Sequence, residues 1–136
     1  MGTFHARTIA EDRDSELVYV HDTDPKRGNL VAERFGSRSV SEPHSGVDAL
    51  VVASPSNTHV DYVAWAIGYG LPVLVEKPLA LSDDESARFA DSPLVKVGHC
   101  ERFNPAFLQR SPPSCGNVVI RRIGQSVHGA AHGDGV

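Results

Sequence analysis

Four polar clusters in this sequence stand directly after short apolar runs, and their residue types could do chemistry. His21-Asp22 closes the run Leu17-Val18-Tyr19-Val20, and Ser54-Pro55-Ser56-Asn57 follows residues 47–53. Glu76-Lys77-Pro78 follows Pro72-Val73-Leu74-Val75, and His99 to Asn104 follows Leu94-Val95-Lys96-Val97. A carboxylate such as Asp22 accepts hydrogen bonds from a pair of hydroxyls, and an ammonium such as Lys77 donates to a hydroxyl oxygen. His99 has the ring of a proton carrier. Each residue has a plainer reading beside this one: a turn-capping aspartate, a solvated lysine, a hydrogen-bonded histidine, and Arg102 and Asn104 as surface residues starting a helix. Asp24 is better placed than Asp22 to cap the turn at Pro25. His128 and His132 have the i, i+4 spacing of a helical metal pair, but the glycines around them argue against a helix, so no metal site is expected.

The apolar runs are short and rich in β-formers, the pattern of strands covered on both faces in a parallel sheet. Between them lie helical patterns. Residues 3–11 read as a helix with Phe4, Ile9 and Ala10 as its apolar positions. Asp24-Pro25 opens a second helix carrying Leu30, Val31 and Phe35 and stopping at Gly36. Residues 37–46 read as a polar loop. Val60, Val63, Ala64 and Ile67 fall on one helical face, ended by Gly68 and Gly70. Ser82 to Glu85 is a capping box for a short helix. Residues 103–110 read as a further helix, 111–114 as a linker, and Val118-Val119-Ile120 as an isolated strand. The tail 129–135 is too rich in glycine to fold alone.

This alternation is that of right-handed βαβ units, so the fold class is α/β, a doubly wound parallel sheet of the Rossmann type. In such sheets ligands bind outside the carboxyl ends of the strands, where all four clusters fall. There Asp22 would accept hydrogen bonds from the adenosine ribose of NAD and repel the 2′-phosphate of NADP. A dinucleotide unit also needs a glycine-rich turn between its first strand and first helix. No G-x-G-x-x-G occurs, and the first helix begins at Met1-Gly2. The chain is therefore expected to be incomplete at both ends, with a gap at the centre of its sheet.

Composition narrows the class. The 136 residues suit one domain, 40% hydrophobic and 22% charged residues suit a globular one, and the net charge is −4. Scattered basic residues argue against a phosphate-tracking nucleic-acid surface. There is no apolar run of membrane-spanning length and no signal peptide, so a cytoplasmic protein is expected, with Cys100 and Cys115 as reduced thiols.

The segments Met1-Gly2-Thr3-Phe4-His5-Ala6, Ala53 to His59, Val75-Glu76-Lys77-Pro78-Leu79-Ala80 and Val97-Gly98-His99-Cys100-Glu101-Arg102-Phe103-Asn104-Pro105-Ala106 together resemble the Gfo/Idh/MocA family of oxidoreductases. They are similar, in order, to the end of the family's glycine turn, its T-P-x-x-x-H loop, its E-K-P motif, and the V-G-H-x-E-R-F-N-P segment of a subgroup acting on nucleotide-linked sugars. The resemblance implies hydride transfer between NAD(P) and a sugar or cyclitol hydroxyl, with NAD expected over NADP. It implies that Gly2 enters the pyrophosphate turn and that Asp22 holds the adenosine ribose. Ser54, Pro55, Asn57 and His59 would line the cofactor, and Lys77 would contact the substrate hydroxyl and nicotinamide ribose as the catalytic residue. Glu76 and Pro78 would shape that turn through a cis Lys77-Pro78 bond, and Arg102 and Asn104 would face cofactor and substrate. It divides the chain into a partial NAD(P)-binding domain, 1–110, and a linker with the start of a substrate domain, 111–136. Residues 117–123 resemble that domain's first strand. Expected partners are a small sugar or nucleotide sugar and another copy of the chain. Two other readings are a non-catalytic dinucleotide-binding module and a subunit whose missing strand comes from a neighbour.

Overall fold

The computed structural model describes residues 1–99 and, for backbone pairing, 122–127. The elements are α1 (Gly2–Glu11), β1 (Glu16–Asp22), α2 (Pro25–Arg34), β2 (Arg38–Val40), β3 (Ala49–Ala53), α3 (His59–Gly68), β4 (Val73–Val75), α4 (Asp83–Ala87), β5 (Val95–Val97) and β6 (Arg122–Val127). The expected helix over 103–110, the linker, the strand at 118–120, the tail and the residues Arg102, Asn104, His128 and His132 lie outside the described residues.

Local sequence explains most boundaries. Asp24 accepts a hydrogen bond from the Lys26 amide at 3.0 Å, Pro25 is the first residue of α2, and Gly36 follows with φ of 67°. That positive φ suits glycine, which lacks the Cβ that penalises it. Ser82 caps α4 by accepting from the Glu85 amide at 3.3 Å. A short 3₁₀ turn, Ser56–Thr58, leads into α3, and Gly70, with φ of 70°, turns the chain into β4.

All six described strands are parallel, in the order β2-β1-β6-β3-β4-β5. The gap expected at the centre of the sheet is corrected here: β6, from the chain's own later part, fills it. Leu17 pairs with Ile123, Val20 with Gln125 and Asp22 with Val127 on one side. Ala49, Val51 and Ala53 pair with Ile123, Gln125 and Val127 on the other. The physical reason is that β1 and β3 would otherwise present facing rows of unpaired amides and carbonyls, which an extended segment satisfies. The stretch expected to open a second domain thus contributes its 122–127 portion to this sheet, and no neighbouring chain is needed to complete it.

Two cores cover the two faces. One gathers Tyr19, Leu50, Val52, Val63, Ala66, Val73 and Val75, with α3 packed against it. The other joins Ala6 and Ile9 of α1 and Ala32 of α2 to Leu17, Val20 and Val51. Each fully buried valine or leucine among them contributes about 1.5–3 kcal/mol. The β1–β6 register shifts between Leu17 and Tyr19, and this irregularity lets Leu17 and Val20, three residues apart, share one face.

Three expectations are corrected. Residues 38–40 are not loop but the edge strand β2, paired with Tyr19–His21. Phe4 and Leu30 are exposed, at 63% and 67%. In α1 the buried face runs Gly2, Ala6, Ile9, so Phe4 points away. In α2, Gly28 brings the helix so close that a Cβ there would lie 2.7 Å from Ser39 Oγ. Gly28 and Ala32 then form the buried ridge and Leu30 lies on its far side.

Candidate functional site at the carboxyl edge of the sheet

Because the strands are parallel, their last residues share one edge. Asp22 (β1), Ser54 after β3, Glu76 after β4 and Gly98 after β5 surround the position where β6 ends at Val127. α1 packs on β1, β6 and β3 and meets β1 through a short turn, so its first residues lie at this same edge. Gly2 is buried there.

Asp22 is buried, its side chain 3% exposed. Its Oδ1 accepts from the Asp24 amide at 2.8 Å and from Arg27 Nη2 at 3.3 Å. Arg27 Nε lies 3.6 Å from Asp24 Oδ2, an ion-pair distance that is too long for a hydrogen bond. So Asp22 both braces the turn and presents a carboxylate at the strand end, while Asp24 caps the helix as expected.

The loop after β3 is held by its own side chains. The Thr58 hydroxyl shares its hydrogen bonds between Ser54 Oγ at 2.7 Å and the Pro55 carbonyl at 2.8 Å. His59 is 1% exposed, with Nε2 2.8 Å from the Ser54 carbonyl and Nδ1 2.7 Å from the Pro78 carbonyl. It therefore ties this loop to the Glu76-Lys77-Pro78 turn rather than facing the open edge. Ser54 is buried, Pro55 half-buried and Asn57 exposed.

In the turn after β4, the Lys77-Pro78 bond is cis, as expected. Glu76 Oε1 lies 2.7 Å from His5 Nε2, with both side chains largely buried. The Glu76 amide donates to the Val52 carbonyl at 2.9 Å, anchoring the turn to β3. Lys77 is exposed between these fixed neighbours. Gly98 sits close behind, where a Cβ would lie 3.4 Å from Glu76 Oε1. His99 is exposed, its amide bonded to the Val97 carbonyl.

Three residues that no sequence pattern singled out belong to this edge: His5, Arg27 and Thr58. Thr58 had a local signal, a hydroxyl four residues after Ser54 at a helix start. His5 had none, since its partner is 71 residues away. Buried histidine and tyrosine lie behind the edge. His21 Nδ1 is 3.2 Å from the Val40 carbonyl, so in the neutral ring Nε2 accepts from the Tyr62 hydroxyl at 3.0 Å. Burial pushes the Tyr19 phenol above its usual pKa, so it stays protonated and donates to the His44 carbonyl at 3.0 Å. Among the described residues no cluster of three metal-ligating side chains occurs, and no helix is long and apolar enough to cross a membrane.

A doubly wound parallel sheet with a buried acid after one strand, a helix start at the same edge and a fixed turn after β4 defines an NAD-binding Rossmann unit. Residues 1–92 match the Gfo/Idh/MocA group, an oxidoreductase family with an NAD-binding Rossmann fold, and the chain belongs to that family. Inositol 2-dehydrogenase of Acidothermus cellulolyticus is 38% identical over 123 residues, covering 79% of this chain and 36% of that enzyme. Among solved structures, GenD2 from gentamicin A biosynthesis, in complex with NAD, superposes with a TM-score of 0.73 at 32% identity, over 80% of this chain and 34% of GenD2. UDP-N-acetylglucosamine 3-dehydrogenase GnnA of Acidithiobacillus ferrooxidans superposes with a TM-score of 0.72 at 27% identity, over 80% and 38%. The chain thus spans about a third of the length of the relatives it matches.

Proposed function

We propose that this chain is the cofactor half of an NAD(P)-dependent dehydrogenase that moves a hydride between the nicotinamide and a sugar or cyclitol hydroxyl. The observation carrying it is the gathering of Asp22, Ser54 and Glu76-Lys77-Pro78 at one sheet edge beside the start of α1. The donor set fits: a buried strand-end carboxylate matches a ribose diol, and a buried glycine at a helix start matches the approach of a pyrophosphate. The chemistry that NAD supplies when bound is acceptance of a hydride.

In this reading Asp22 accepts from the adenosine ribose hydroxyls. Ser54, Pro55 and Asn57 line the cofactor, with His59 holding their loop in place. Lys77 donates to the oxygen of the substrate hydroxyl and to the nicotinamide ribose, oriented by Glu76 and Pro78 on either side. Arg102 and Asn104 face the junction of cofactor and substrate. Residues 1–110 together with β6 form the cofactor domain, and the rest of 111–136 leads toward the substrate domain. The substrate is a small sugar, cyclitol or nucleotide sugar, in keeping with the inositol and nucleotide-sugar enzymes among the relatives. The setting is cytoplasmic.

NADH titration followed by fluorescence tests the cofactor half. Saturable binding is expected, and its absence would overturn the reading. Asp22→Ala should weaken NADH binding about tenfold, the worth of a charge-assisted hydrogen bond, and narrow the gap to NADPH. An unchanged NADH/NADPH preference would remove Asp22 from the ribose. Lys77 faces the reacting hydroxyl, so in protein that includes the substrate half, Lys77→Ala should cut turnover about a hundredfold. NADH affinity should change little, and an equal loss in both would make Lys77 a binding residue only.

A further inference from the structure

We propose that His5 is a positioning residue for Lys77, acting through Glu76, an inference that rests on the cofactor reading above. His5 lies in the first turns of α1, three residues after the buried Gly2 and on the same side of the helix. Its Nε2 stands 2.7 Å from Glu76 Oε1, with the two side chains 18% and 13% exposed. An ionised carboxylate only accepts, so Nε2 carries the proton and donates. Helix α1 and the turn after β4 thus meet through a side-chain hydrogen bond between residues 71 apart in sequence.

The turn has two further ties, both to its backbone. The Glu76 amide donates to the Val52 carbonyl at 2.9 Å, and the Pro78 carbonyl lies 2.7 Å from His59 Nδ1. Neither fixes which way the Glu76 side chain points. His5 does. Gly98 packs behind the same carboxylate, where a Cβ would lie 3.4 Å from Oε1, so the group is confined between the imidazole and the backbone at the end of β5. Lys77 is exposed and takes its direction from the residues on either side. A largely buried carboxylate that loses its donor turns toward water, and the segment carrying it follows. With His5 in place, the Lys77 ammonium keeps a fixed span from the start of α1. In the cofactor reading that span is the one from pyrophosphate to nicotinamide ribose. His5 acts through Glu76 and is not itself a catalytic residue.

The test reads Lys77 directly. Lys26, Lys77 and Lys96 are the only lysines in the sequence. Reductive methylation with isotopically labelled formaldehyde therefore gives one NMR signal for each beside that of the N-terminus, and Lys77→Arg assigns its own. NADH is titrated into the full chain, into His5→Leu, which keeps bulk without a donor, and into His5→Gln, which keeps a donor. Thermal melts check folding. NADH should shift the Lys77 signal of the unaltered chain. His5→Leu should bind NADH within about threefold of the parent yet lose most of that shift, and His5→Gln should restore it. In protein that includes the substrate half, His5→Leu should cut turnover about tenfold with the KM for NAD within about threefold. Added to Lys77→Ala it should cost nothing further. A folded His5→Leu with the parent's Lys77 shift, or with unchanged turnover, would overturn the role of His5 while leaving the cofactor site standing. Should His5→Leu not fold, Glu76→Met removes the acceptor instead and carries the same expectations. Loss of folding in both would make the pair a structural tie only and overturn the proposal. Failure of the unaltered chain to bind NADH would overturn the cofactor reading and this inference together.

Discussion

Gln125→Pro should abolish cooperative unfolding of this chain at 25 °C. Gln125 is the middle of β6, opposite Val20 on one side and Val51 on the other. Proline there removes an amide from the ladder and places its ring against a neighbouring strand, a disruption of about 3 kcal/mol or more. Because β6 is the only link between β1 and β3 among the described strands, the damage reaches past one hydrogen bond. The sheet divides into β2-β1 and β3-β4-β5, and the edges at Glu16–Asp22 and Ala49–Ala53 lose their partner. A loss of this kind is comparable with the whole stability of a small domain. The companion substitution runs the other way. Gln125→Val keeps the ladder amide and has the higher strand preference, so it should melt no lower than the parent. Circular dichroism melts of both variants decide the matter. A Gln125→Pro protein melting like the parent would show that β6 does not hold the centre.

His59→Ala should lower the melting midpoint by about 10 °C, corresponding to about 3 kcal/mol. The ring spans two backbone carbonyls, Ser54 at 2.8 Å and Pro78 at 2.7 Å, and is 1% exposed. A neutral imidazole carries one N–H, so it donates fully to one carbonyl and only contacts the other, whereas an imidazolium donates to both. Removing it leaves a buried carbonyl without its donor, at about 1–3 kcal/mol, and a void of imidazole size on top. The two loops it joins would then move independently, so NADH affinity should fall as well. His59→Gln, which keeps one donor, should recover part of the midpoint. If His59→Ala melts within a degree or two of the parent, the ring is a passenger in that space.

Much of the framework was legible because its signals are local. The i, i+3, i+4, i+7 spacing of Val60, Val63, Ala64 and Ile67 marked α3, and Asp24-Pro25 with Gly36 marked both ends of α2. The Lys77-Pro78 turn was legible from its motif, including its cis bond. What escaped was nonlocal or too short to carry a period. Arg38-Ser39-Val40 has no alternation that a three-residue edge strand could display, and it pairs only because β1 lies beside it. Leu30 read as core from its type, yet the close approach at Gly28 turned a different side of the helix inward. His59 was expected to line the cofactor, and its place between two backbone carbonyls follows from a loop meeting that its neighbours in sequence do not encode. The pairing of His5 with Glu76 and the position of β6 rest on contacts between distant parts of the chain, invisible to any sliding window.

The place of β6 also has a consequence in time. Asp22 lies beside Val127, so the middle of the sheet is made last although its flanks are made early. A growing chain on the ribosome can form α3 and pair β3 with β4, but β1 and β3 keep facing open edges until residue 127 has been added. Pairings this remote in sequence form slowly, and unpaired strand edges are where nascent chains stick to one another. Synthesis speed and chaperone supply should therefore govern the yield of this protein more than its final stability does.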